Sequence, residues 1–271
     1  MLLRFLTSKI LCRHANKSQR KGSTQDDLTP LKHFGNENYQ RINHRRLEHL
    51  ASLHLPLENL RVLEVGAGIG DLTSFFLDRN CEVVISEGRQ ANLTYLRQRY
   101  PELPVIFLDL DNPPEDLGQH FDVVFCYGVL YHLCHPAKAL AFLARHCQKM
   151  LLLETCVSYG SESQLNPCSE DAAIPTQSLS GSGCRPTRSW VYQNLAQHFE
   201  YVYIPRTQPY HREFPCDWTI PPPSPGLTRA IFIASRQPLE NPILTPELLV
   251  RQVRIFAGCS SPAAPSPDTM L

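Results

Sequence analysis

Residues 62–70 read Val-Leu-Glu-Val-Gly-Ala-Gly-Ile-Gly: an apolar run with one acidic residue, Glu64, that ends in glycines at alternate positions, Gly66, Gly68 and Gly70. Val62, Leu63 and Val65 suit a parallel strand buried on both faces. The glycines on either side of Ala67 allow a sharp turn in which the backbone comes close to a ligand. Leu72, Phe75 and Phe76 then begin an apolar stripe at helical spacing. Strand, glycine turn and helix together describe a cofactor cradle. A dinucleotide pyrophosphate needs G-x-G-x-x-G, but here the third glycine comes one residue early and Asp71 stands where that pattern has glycine. A pyrophosphate would meet a carboxylate.

Working outward from this cradle, the chain alternates strand and helix. Strands are predicted over 61–65, 82–86, 104–109, 121–126 and 149–155, with helices over 70–79, 89–99 and 136–146. A helix over about 36–54 precedes them, covering the sheet or the cofactor mouth. A helix over 187–198 with Thr187 as N-cap and strands over 200–204 and 229–235 follow. This alternation predicts an α/β fold, a doubly wound, mostly parallel sheet with helices on both faces. Glu87 ends the second strand, seventeen residues after Gly70, where a doubly wound fold places the carboxylate that binds ribose hydroxyls.

The G-x-G-x-G turn after an acidic strand, Glu87, the strand ending at Asp109 with Asp111 two residues on, and the string Tyr127-Gly-Val-Leu-Tyr-His-Leu-Cys-His-Pro136 occur in one order. In that order they resemble the motifs of the class I S-adenosylmethionine (SAM) dependent methyltransferases over about residues 33–235. The resemblance implies a Rossmann-like fold with an antiparallel last strand and SAM as cofactor. It implies a cofactor site at Glu64, Gly66, Ala67, Gly68, Gly70, Glu87, Asp109, Asp111 and Tyr127, with either aspartate on the adenine amino group. On the acceptor side it points to Tyr131, His132 and Glu154, and His132 is the first candidate for a base because its ordinary pKa lies near neutrality. The implied reaction is methyl transfer to an oxygen or nitrogen nucleophile of a small-molecule or glycan acceptor. A tRNA-modifying enzyme, or a SAM-binding interaction module without turnover, is the alternative.

Composition narrows the partners. With 26 basic and 26 acidic residues, the chain of 271 residues has no global positive field to favour nucleic acid. No stretch approaches the roughly 18 apolar residues of a membrane span. The ten cysteines contain no C-x-x-C pair, so they read as reduced thiols, and His132-x-x-His135 lacks the second ligand pair that a metal site needs. No metal is expected. The first 25 residues carry six Lys or Arg and no acidic residue. They read as a basic arm (1–32) of a cytoplasmic protein, or alternatively as an organelle leader.

Two long loops depart from a minimal domain. Residues 157–186 lack periodicity and follow the fifth strand at the carboxyl edge of the sheet, where open α/β folds bind ligands, so they suit a lid. Arg185 and Arg188 at its end are candidates to clamp an anionic acceptor. Residues 205–227 hold seven prolines with Tyr210, His211, Arg212, Asp217 and Trp218, stiff enough for a substrate wall. A C-terminal extension, 236–271, is expected to lose order from about 257.

Overall fold

The computed structural model describes residues 30–222 and 226–254, so the expectations for the basic leader and the last residues lie outside the described part. An eight-stranded sheet carries the molecule, in the order β11 (Leu244–Thr245), β8 (Tyr201–Pro205), β10 (Arg229–Ser235), β5 (Cys147–Cys156), β4 (Phe121–Tyr127), β1 (Arg61–Val65), β2 (Glu82–Glu87) and β3 (Val105–Phe107). From β3 to β5 all neighbours are parallel. β10 runs antiparallel between β5 and β8, as the resemblance implied.

Strand order reverses between β1 and β4, which are neighbours although each leads to a helix on a different face. Such a reversal opens a crevice at the carboxyl ends of the strands. On one face α2 (Glu37–Ser52), α3 (Ser74–Leu77) and α4 (Gln90–Arg99) bury Ile42, Leu50, Phe75, Phe76 and Leu96 against Val62, Val83, Val123 and Phe125. On the other, α5 (Pro136–His146) and α6 (Arg188–Ala196) bury Leu140, Leu143, Val191 and Leu195 against Leu63, Val124, Leu151 and Phe232. Each such side chain contributes roughly 1.5–3 kcal/mol by leaving water.

The helix predicted over 70–79 is reduced to the single turn of α3. Gly70 has φ +79°, outside helical geometry, and the Thr73 hydroxyl donates to Glu64 (2.6 Å) instead of capping the helix. The third strand also ends early, at Phe107, because Asp109 turns the chain by accepting from the Asp111 amide (3.0 Å). α6 begins as expected, with the Thr187 hydroxyl accepting from the Trp190 amide.

Three features were not foreseen. A short α1 (Pro30–Phe34) packs Phe34 beside the glycine turn. Loop 157–186 contains an antiparallel hairpin, β6 (Pro167–Ser169) with β7 (Ser182–Cys184). In the C-terminal extension β11 completes the sheet edge, and β12 (Val253–Arg254) pairs with β9 (Thr207–Gln208), tying the proline-rich loop down. Among the described residues no helix is long and apolar enough to cross a membrane.

Candidate active site

The crevice at the β1/β4 reversal is a cleft of about 830 Å³. Gly66 (φ +62°) and Gly68 (φ +60°) form its floor in backbone geometry that side chains resist. Even a methyl group would collide here: at Gly66 it would lie 2.3 Å from Val129, and at Gly68 2.5 Å from the Phe34 ring. Glu87, buried at the end of β2, accepts from the Gly68 amide (2.9 Å) and the Arg89 amide (2.8 Å). Burial raises its pKa, and these donors oppose the rise. The Asn92 side chain and the Gly88 backbone also act on this carboxylate, so Glu87 ties the turn together at the wall of the cleft. Asp109 and Asp111 also line the cleft. Asp109 accepts on both oxygens, from the Asp111 amide and from Asn112 (3.0 Å each), whereas Asp111 accepts from the His135 amide on Oδ1 (2.8 Å).

A smaller compartment continues under the turn, walled by Tyr39, Asn43, Arg46, Glu64, Ala67, Asp71 and Tyr127. Burial pushes the Glu64 carboxyl up to about 7, against the Thr73 hydroxyl that hydrogen-bonds it. Asp71 is held by Gln40 (2.8 Å) and Arg99 (2.7 Å). Arg46, from α2, places Nη1 on Asn43 (2.9 Å) and Nη2 on Glu154 (2.7 Å), while its Nε and the Tyr127 hydroxyl are buried without a partner.

A third, more open cleft of about 1050 Å³ shares Tyr39, Arg46, Tyr131, His132, Thr176 and Gln177 with the first. His132 Nδ1 meets Glu170 Oε2. Burial opposes ionisation of Glu170, but the hydrogen bond and charge of His132, the Ser178 amide and Arg185 outweigh it and hold the carboxyl at about 2. Burial in turn lowers the His132 pKa, with Glu170 pulling the other way. A neutral His132 that donates Nδ1–H to an ionised Glu170 carries its lone pair on Nε2. Tyr131 is kept protonated by burial, and its hydroxyl lies 3.4 Å from Arg229 Nη2.

Residues 63–151 match a family model described as a methyltransferase domain. Among solved structures, the chain is similar to the N-terminal domain of EvdMO1 in the presence of SAH and D-fucose, with 17% identity over 72% of this chain and 83% of that one and a TM-score of 0.55. It is also similar to magnesium protoporphyrin IX methyltransferase (ChlM) from Synechocystis PCC 6803 with bound SAM, with 16% identity over 80% and 86% and a TM-score of 0.50. Residues 63–151 carry a methyltransferase domain, in the fold of these SAM- and SAH-bound structures. No curated protein sequence matches it.

The methyltransferase domain fits its cofactor, SAM. A zwitterionic amino acid end needs acidic and basic groups together in a buried place, and the smaller compartment provides Glu64 and Asp71 opposite Arg46. The unpartnered Arg46 Nε and Tyr127 hydroxyl mark polar capacity that a ligand would use. At the other end of the cleft, the unpartnered Asn92 Oδ1 does the same beside Glu87.

Not every expected residue reaches a cleft. Glu154 is fully buried between Arg46 Nη2 (2.7 Å) and Arg229 Nη1 (3.1 Å) and lines none of the three clefts. Its carboxylate compensates two buried guanidinium groups instead of facing an acceptor. Arg185 and Arg188 do not converge: Arg185 binds Glu170 (3.1 Å), and Arg188 lines a separate cleft. His135 joins Asp111 through its backbone amide, apart from the His132–Glu170 pair. Sequence reasoning missed Arg46, Arg89, Glu170 and Arg229. Arg46 carried a signal, since it falls four residues after Ile42 and four before Leu50 on the apolar stripe of α2, a place for a charge only if it is paired.

Loop 157–186 covers the cleft. Arg89 donates to the Ala172 (3.0 Å) and Gln177 (3.2 Å) carbonyls, the Ser178 amide donates to Glu170 (2.8 Å), and Leu179 packs over Gly88.

Proposed function

We propose that this chain methylates an oxygen or nitrogen nucleophile of a small-molecule or glycan acceptor held in the open cleft beside Tyr131 and His132. The observation that carries this reading is the wall common to that cleft and the cofactor cleft, with His132 set into it and fixed by Glu170. A glycan acceptor also agrees with the D-fucose present with the EvdMO1 domain, a neighbour in fold.

Glu87 accepts from the ribose hydroxyls, and Asp111, whose Oδ2 is not used by the His135 amide, is the better placed of the two aspartates for the adenine amino group. Glu64, Asp71, Arg46 and Tyr127 hold the amino acid end. When bound, SAM supplies a methyl group already activated by its sulfonium charge. The chain's own task is then alignment, exclusion of water and removal of the acceptor's proton. His132 Nε2 takes that proton, and the ionised Glu170 stabilises the imidazolium that results. Arg185 and Ser178 keep Glu170 ionised and in place.

Labelled SAM incubated with separated small-molecule, oligosaccharide, RNA and protein fractions of a cell extract tests the reading. Label should enter the small-molecule or oligosaccharide fraction and fall at least tenfold with His132→Gln, while calorimetry shows unchanged SAH binding. Label in RNA or protein, or full activity in His132→Gln, would overturn it.

A further inference from the structure

Among the described residues three arginines are nearly or fully enclosed, and one differs from the others. Arg46 and Arg229 share the carboxylate of Glu154, and Arg229 also reaches Glu213 (2.6 Å). Arg188, only 8% exposed, forms no ion pair among the described residues. Its Nη1 donates to the Leu249 carbonyl (2.8 Å), its guanidinium carbon lies 4.1 Å from the centre of the Trp218 ring, and its Nη2 is buried with no partner. Burial pushes its pKa down to about 10, opposed only by the Tyr159 phenol. Asp217, next in sequence to Trp218, is committed to Arg251 (3.3 Å) and Thr219. A buried cation without a counter-charge is costly, and a bound anion would offset it.

The surroundings state what that is. Arg188 lines a cleft of about 910 Å³ whose other walls include Tyr159, Ser189, Trp218, Leu248 and Val250, and none of its lining residues belongs to the cofactor or acceptor clefts. Arg188 and Ser189 are also the first two residues of α6, whose amides have no acceptor within the helix and sit at its positive end. Trp218 is held by its indole N–H on Gln252 (2.7 Å), and the Tyr159 ring lies 5.5 Å from it. The cleft thus joins an unneutralised guanidinium and a helix N-terminus to a fixed aromatic wall.

We infer that this cleft is a second ligand site, separate from methyl transfer, for a small carboxylate carried on a flat apolar body. The carboxylate oxygens take Arg188 Nη2 and the first amides of α6, and the body packs on Trp218 and Tyr159. One positive charge with one free donor matches a monoanion.

Benzoate is the probe, and its neutral isostere benzamide is the control. The chain has two tryptophans, so Trp190→Phe leaves Trp218 as the reporter. Benzoate should change its fluorescence saturably, bind at least tenfold more tightly than benzamide, and bind at least tenfold more weakly to Arg188→Met. Saturating SAH should leave benzoate affinity unchanged. Arg188→Met, which removes an unpaired buried charge at similar volume, should raise Tm in the absence of ligand, so that lost binding cannot be lost folding. No saturable change, discrimination below fivefold in either comparison, competition with SAH, or a lower Tm for Arg188→Met would each overturn the assignment.

Discussion

If His132 is the base, it acts only when neutral, so kcat/KM should rise with pH through its pKa and level off above. Burial lowers that pKa below the ordinary 6.5 while Glu170 resists. Glu170→Gln removes the resistance, so the rising limb should move to lower pH while the plateau falls by about tenfold to a hundredfold, because the tautomer is no longer fixed. A pH–rate profile of both forms checks this. An unmoved limb would detach Glu170 from the base. Arg46 makes a second test. Arg46→Ala leaves Glu154 facing Arg229 alone and should cost about 3–5 kcal/mol in denaturant unfolding, the range for breaking a buried pair, whereas Arg46→Met combined with Glu154→Gln should recover part of it. The glycine turn, Glu87 and the residues after β4 were legible in the sequence because backbone geometry and strand ends restrict residue type there. Glu170 was not, because its role depends on a hairpin that folds back across more than thirty residues to reach His132.

At the scale of elements, legibility followed periodicity. β1, β2, β4, β5, β10, α4, α5 and α6 were predicted nearly to their ends because the strands are near-continuous buried apolar runs and the helices bury one apolar face. α3 is shorter than its apolar stripe, because a stripe says nothing about Gly70 in a left-handed conformation or a Thr73 hydroxyl drawn to Glu64. The β6–β7 hairpin had no pattern to read: its strands are three residues each, and β6 is largely exposed. The segment between those strands is fastened from outside, chiefly by Arg89. Arg89→Ala removes hydrogen bonds worth about 0.5–1.5 kcal/mol each, so amides 172–179 should exchange about tenfold faster in the free protein. SAH should slow the same amides in the parent. Exchange that ignores both changes would mean that the segment is held by its own turns.

For the whole molecule, two buried groups pull stability in opposite directions with pH. Glu64 has a pKa raised from 4.5 to about 7, so its contribution is complete below pH 4.5 and is lost as pH rises through about 7. His49, buried on α2 against Thr207, has a pKa lowered from 6.5 to about 4 by burial, against the Thr207 hydrogen bond. Its contribution is complete above pH 6.5 and is lost as pH falls through about 4. Each shift corresponds to about 3 kcal/mol at most. Between pH 4.5 and 6.5 the two slopes oppose each other, and the parent should show a flat stability profile there. Glu64→Gln should fall off on the acid side only, and His49→Gln on the alkaline side only, in denaturant midpoints measured across that window.

The wall common to the two clefts also constrains traffic. Tyr131 and His132 line both the cofactor cleft and the open one, as do Thr176 and Gln177 of the covering loop. An acceptor seated there would close the cofactor's way out, so SAM should load first and SAH depart last. Steady-state turnover should then be sequential, with SAH inhibiting competitively against SAM and noncompetitively against the acceptor. Competition of SAH against both would mean random arrival, and two doors where the wall implies one. If spent cofactor leaves through the Arg89-fastened loop and its exit sets the pace, loosening that fastening would speed the enzyme at saturating substrate even as it weakened its hold on SAM.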